Sequence, residues 1–134
     1  MTADQERGVR EPFRRLTGRE HEIVDMLLSV DVPGIAELRL QVPYASAARW
    51  DCGCASFDVQ VDRQRAPRST VTTSPAIEAT TVEREDYRRT FDLLLWVDDG
   101  WLSGVEIVDY VDQHGDESPD EIPPPEAWNE PHAR

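Results

Sequence analysis

The chain reads as an α+β domain, with two N-terminal helices packed on an antiparallel β-meander of four to five strands and an irregular, acidic, proline-rich C-terminal tail. Three observations predict it. A capped amphipathic stretch follows Thr17; short β-rich runs joined by polar loops fill residues 44–110 with no helical pattern between them; after Tyr110 the composition turns to acid and proline. At 134 residues there is material for one core. The expected division is a disordered segment over 1–15, a single domain over 16–111 and a tail over 112–134.

Residues 1–15 mix Arg7, Arg10, Arg14 and Arg15 with Asp4, Glu6 and Glu11 and show no apolar period. Thr17-Gly18-Arg19-Glu20 is a capping box, in which the threonine hydroxyl accepts from the amide three residues on and Glu20 reaches back. Ile23, Val24, Leu27 and Leu28 then make one stripe, predicting a helix over 18–30 that Pro33 stops. Pro33 itself suits the first position of a second helix, with Ile35, Leu38 and Val42 inward and Pro43 ending it.

Residues 44–50 read as a weak edge strand, and Ser56–Asp62 as a clean one with Phe57, Val59 and Val61 inward. Arg63–Pro75 carries three arginines and two prolines and reads as a loop. A poorer strand over 76–83 puts Ile77, Ala79 and Thr81 on one face.

Residues 89–110 are the densest apolar run and form a hairpin about Asp98-Asp99-Gly100. A two-residue loop at Asp99-Gly100 would pair Leu93 with Glu106 and set a carboxylate within an apolar face. A three-residue loop pairs Val97 with Trp101. It gathers Phe91, Leu93, Leu95, Val97, Trp101, Ser103, Val105 and Ile107 on one face, and parity favours it. The opposite face then carries Leu94, Trp96 and Leu102 near the turn, with Gly104 opposite Leu94 and Asp92 opposite Glu106 at the open end. In the tail, Ile122-Pro123-Pro124-Pro125-Glu126-Ala127-Trp128 joins a pre-extended segment to an aromatic anchor. Ile122 and Trp128 are expected to dock on the sheet, over Trp96 and Leu102.

A formal charge of −13 and a pI near 4.5 argue against nucleic acid or an anionic membrane as partners and permit a basic protein. All fourteen basic residues are arginine. No leader pattern and no apolar run of membrane-spanning length occurs, so the expectation is a cytoplasmic chain with reduced thiols, monomer or dimer.

Cys52-Gly53-Cys54 is the sharpest local feature. It reads as half of a metal site, as a thiol pair, or as small apolar filler at a strand entry with Gly53 easing the backbone. No cofactor is expected; zinc is the one candidate, held by Cys52 and Cys54, and a two-fold dimer would complete four thiolates. His21-Glu22-Ile23-Val24-Asp25 resembles the metalloprotease helix, but aspartate replaces the second histidine, and a solvent-facing His21–Asp25 pair is the plainer account. Asp92 and Glu106 are candidates for an acid–base pair, though in open sheet such residues are more often a solvated like-charge pair. Catalysis is not the expected activity, since neither a nucleophile elbow nor a phosphate loop is present.

Two resemblances follow from these residues. Leu16-Thr17-Gly18-Arg19-Glu20 with Ile23, Val24, Leu27 and Leu28 resembles the opening of the regulator-type helix-turn-helix. That family's recognition helix has no counterpart here, because Leu40-Gln41-Val42-Pro43-Tyr44-Ala45 runs into a proline and a strand. Over residues 16–128, the 16–20 motif, Cys52-Gly53-Cys54, Asp98-Asp99-Gly100-Trp101-Leu102-Ser103 and Pro123–Trp128 resemble a family of short, uncharacterised bacterial proteins, a likeness that implies no activity and no catalytic residue. The expected function is interaction: an acidic protein, immunity- or antitoxin-like, meeting a basic partner through Trp96, Leu102, Asp92 and Glu106. A thiol or metal module on Cys52 and Cys54 is the alternative.

Overall fold

The computed structural model describes residues 12–51, 55–81, 91–109 and 121–134. Helices α1 (Gly18–Leu27) and α2 (Ile35–Gln41) lie on a seven-stranded antiparallel sheet. The strands are β1 (Arg14–Arg15), β2 (Ala45–Arg49), β3 (Phe57–Val61), β4 (Ile77–Thr80), β5 (Phe91–Asp98), β6 (Trp101–Asp109) and β7 (His132–Ala133). Their order is β1-β2-β3-β6-β5-β4-β7. The α+β class holds, but the sheet is larger than the four to five strands expected and is not a simple meander. The β5–β6 hairpin sits between β3 and β4, so the chain from β3 to β4 must pass across it.

The capping box forms as the sequence predicts. Glu20 N–H donates to Thr17 Oγ1 at 3.1 Å, and Thr17 N–H donates to Glu20 Oε1 at 2.8 Å. Arg14 adds a bidentate contact to the same carboxylate, at 2.5 and 3.0 Å, which explains how Glu20 is buried without an unpaired charge. Residues 1–11 of the segment expected to be disordered lie outside the described residues, but Arg14–Arg15 are ordered as β1, paired with Ala47 and Ser46. Strand β2 is therefore not an edge. The second helix starts at Ile35 rather than Pro33, with Gly34 as its cap at φ +91°. A side chain there would meet Ser69, Thr70 and Val71 at 2.8 Å. Arg39 of α2 donates to the carbonyls of Leu28 (2.8 Å) and Val30 (3.3 Å), satisfying the end of α1.

The core lies between the helices and one sheet face. Ile23, Val24, Leu27, Ile35, Leu38 and Val42 meet Phe57, Val59, Val61, Ile77, Ala79, Leu93, Leu95, Val105 and Ile107, all buried. Removing each of the larger of these side chains from water contributes about 2 kcal/mol.

The hairpin corrects the expected register. The turn has two residues, not three: Asp98 pairs with Trp101 across Asp99 (φ 52°) and Gly100 (φ 86°), the double positive φ of a I′ turn. A bulge between Trp96 and Val97 then shifts the pairing, so that Trp96 faces Gly104, Leu95 faces Val105 and Leu93 faces Ile107. The tight turn and the apolar parity are both satisfied, which a single uninterrupted register does not allow. Three expectations fall with it. Leu102 pairs with Val97 and is buried in the core, away from Trp96. Gly104 lies opposite Trp96, not Leu94. Asp92 lies opposite Val108 and Glu106 opposite Leu94, so the two carboxylates share a face on a diagonal and do not pair.

The hairpin tip is clamped by residues far along the chain. Gln41, fully buried, donates through Nε2 to Pro67 O and Gly100 O, both at 2.8 Å, and accepts from Leu102 N–H at 2.9 Å. Ser69 N–H also donates to Gly100 O (2.9 Å), its hydroxyl donates to Gly34 O (2.7 Å), and Arg68 holds Asp99. The loop over 63–75 is thus a strap between α2 and the hairpin tip. Gly100 is required there, since a Cβ would stand 2.3 Å from Ser69 O.

Ile122 and Trp128 are both buried, as expected, but at a different place. They join the helix-side core: the 3-10 turn Pro125–Ala127 lies against α1, Trp128 bridges to Thr81 beside β4, and β7 completes the sheet edge. Trp128 Nε1–H donates to Pro123 O at 3.0 Å, and Arg19 fixes Ile122 O at 2.7 Å. The reason is simple: the edge of β4 was free to accept a strand, whereas Trp96 lies in the middle of the sheet.

Candidate functional site

The sheet face turned away from the helices carries the polar alternates of every central strand. Across it run Glu78 on β4, Asp92, Leu94 and Trp96 on β5, Gly104, Glu106 and Val108 on β6, and Asp58 on β3. Thr80 Oγ1–H donates to Asp92 at 2.7 Å, and Trp96 Nε1–H donates to Glu106 at 3.1 Å. Trp50 Nε1–H donates to Asp58 at 3.1 Å. Glu78 is balanced by His132 (2.9 Å) and Arg134 (2.8 Å) from the sheet edge. Among the described residues, no guanidinium or imidazole is paired with Asp92 or Glu106.

A cleft of about 200 Å³ opens on this face, lined by Trp50, Asp58, Trp96, Ser103, Gly104 and Glu106. Its floor follows from the strand order. Asp58, Gly104 and Trp96 are successive partners across β3, β6 and β5. The middle position has no side chain, and a Cβ there would lie 3.1 Å from Phe57 O. The bulge adds Ser103 to the same rim. Two indoles and two carboxylates thereby surround one depression.

Of the residues expected to meet a partner, Trp96, Asp92 and Glu106 share this face, and Leu102 does not. Asp58 and Trp50 were not among them. Asp58 is legible as an outward alternate on its strand, but its place beside Trp96 depends on β3 pairing with β6. Cys52 and Cys54 lie outside the described residues, and among the described residues no group of three or more potential ligands is placed to hold a metal. His21 Nδ1 lies 3.0 Å from Asp25 on the exposed side of α1, the plain helical pair.

A larger cleft of about 330 Å³, between the start of α1 and the tail, is lined by Arg14, Arg19, Glu20, Arg49 and Ile122 among others. Arg14 there holds the capping carboxylate and Arg19 holds the tail, so both have structural work. No described helix is long and apolar enough to cross a membrane.

Comparison with known proteins finds no match to a family model, a curated protein or a solved structure.

Proposed function

We propose that this chain is a small acidic binding protein that acts by occupancy, its outer sheet face meeting a basic protein partner, as immunity- or antitoxin-like neutralisers do. The observation that carries the reading is the state of Asp92 and Glu106. Both are half-buried on the sheet face turned away from the helices, and among the described residues their donors are a hydroxyl and an indole N–H rather than cations. A carboxylate held by neutral donors keeps its full charge for a partner, and the chain's −13 extends the attraction to long range. Trp96 beside them supplies the kind of aromatic surface on which interface affinity concentrates.

The test compares capture of proteins from the native host by the wild-type chain and by the double variant Asp92→Arg, Glu106→Arg. A basic protein retained by the first, lost from the second and released by added salt supports the reading. Capture that ignores the reversal overturns it. Stoichiometric zinc that disappears in Cys52→Ser, with no partner captured, would transfer the function to a thiol or metal module.

A further inference from the structure

We infer that the opening between the strap and the start of α2 binds a small uncharged amphiphile, a single ring or branched group of about five or six carbons carrying one hydroxyl or carbonyl. The site lies on the helix side of the sheet, at the β4–β7 margin, and is separate from the outer face.

The strap gives the site its shape. At one end it is fastened down: Ser69 bonds Gly34 and Gly100, and a side chain on Gly34 would meet Ser69, Thr70 and Val71 at 2.8 Å. Beyond Val71, no hydrogen bond among the described residues ties Thr72 or Thr73 to the helices, and a cavity of about 230 Å³ opens beside them. Its apolar floor is Ile35 and Leu38 of α2 and Ile77 of β4, all members of the main core. Protein interiors close such gaps, because each atom bordering one loses dispersion contacts on that side. Here three buried side chains border a gap with room for a six-membered ring; a cavity of roughly 150 Å³ lined by similar side chains is enough to take up benzene. Water entering it would face mostly apolar atoms, and an apolar group gains affinity by displacing water held so loosely.

The rim sets the polar end of the ligand. Thr70, Thr72 and Thr73 line it, and among the described residues nothing bonds their hydroxyls. A hydroxyl both donates and accepts, so the rim suits a neutral alcohol or carbonyl group. It offers no charge. Among the described residues Arg134 is the only charged one in the lining, and its guanidinium is tied to Glu78 at 2.8 Å. Glu78 alternates with Ile77 along β4 and so lies on the other sheet face. An ion placed in the cavity would lose water without gaining a partner.

The test follows the methyl signals of the full-length, carbon-labelled protein during titration with benzyl alcohol, a ring with one hydroxyl. The signals of Ile35, Leu38 and Ile77 should move and saturate, with half-saturation at roughly millimolar probe for a molecule of so few heavy atoms. Val59 and Val61, on the far side of the hairpin in β3, should stay still. Benzoate and benzylammonium, of similar size but charged, should bind several-fold more weakly. Ala133 lines the cavity opposite Ile77 and is exposed at the sheet edge, so Ala133→Phe fills the space without disturbing the core. This variant should keep the wild-type urea midpoint and bind benzyl alcohol at least tenfold more weakly. Three results would overturn the inference: methyl signals that drift without saturating up to about 20 mM probe, tighter binding of either charged probe, or undiminished binding by folded Ala133→Phe protein.

Discussion

The two faces of the central sheet are cut from the same strands and have opposite fates. On the helix side, Leu93, Leu95, Val97, Phe57 and Val105 are each essentially inaccessible and belong to one core with side chains of both helices and the tail. On the other side, Asp92, Trp96, Glu106 and Asp58 are half-buried, with the Thr80 hydroxyl donating to Asp92, the Trp96 indole to Glu106 and the Trp50 indole to Asp58. Alternation puts neighbours in the chain into these two environments one residue apart. The difference teaches where stability ends and recognition begins. The middle of the inner face has little left with which to bind anything, whereas the polar side chains of the outer face stay partly open.

Substitutions that separate the faces should fall in a graded series. The largest effect is expected from Leu95→Ala, which leaves a cavity under both helices and should cost about 3–4 kcal/mol in urea unfolding. Gln41→Leu comes next. It keeps apolar bulk but leaves Leu102 N–H and Pro67 O without their partner, a loss of about 2–3 kcal/mol with the hairpin-tip amides exchanging faster. Thr17→Ala removes one half of the capping box and should lower stability by about 1 kcal/mol in the same measurement. Asp92→Asn and Glu106→Gln should change stability by no more than about 0.5 kcal/mol in either direction. A loss at Glu106 rivalling that at Leu95 would erase the contrast between the faces.

Much of the inner face was legible in the sequence. The stripe of α1, the alternation of Phe57, Val59 and Val61 and the apolar side of β5 each follow from spacing alone. The hairpin register was not. Asp99-Gly100 called for a two-residue turn and the apolar set called for a different parity; a bulge at Trp96/Val97 reconciles them. Nothing local in Leu102-Ser103-Gly104 announces that bulge. On its turn side Gln41, from another element, holds Gly100 O and Leu102 N–H. The tail was half legible: Trp128 is an anchor by type, but which surface it anchors to depended on β4 offering an open edge.

The outer-face cleft shows the same limit more sharply. Asp58, Trp96 and Glu106 were each readable as outward-facing, yet they are far apart in the chain. They meet because β6 pairs with β3 on one side and β5 on the other.

The residues alone settled the local matters: where α1 is capped, which positions of β3, β4 and β5 face inward, and that the chain turns back near Gly100. Such features are decided by groups within a few residues of one another, whose side chains bias their own backbone. Strand order, the bulge, the clamp at Gln41 and the company kept by Trp96 belonged to the assembled molecule. Ladder hydrogen bonds join backbone groups that are alike in almost every residue, so they carry little information about partners. Only the packing of all segments at once selects among the pairings.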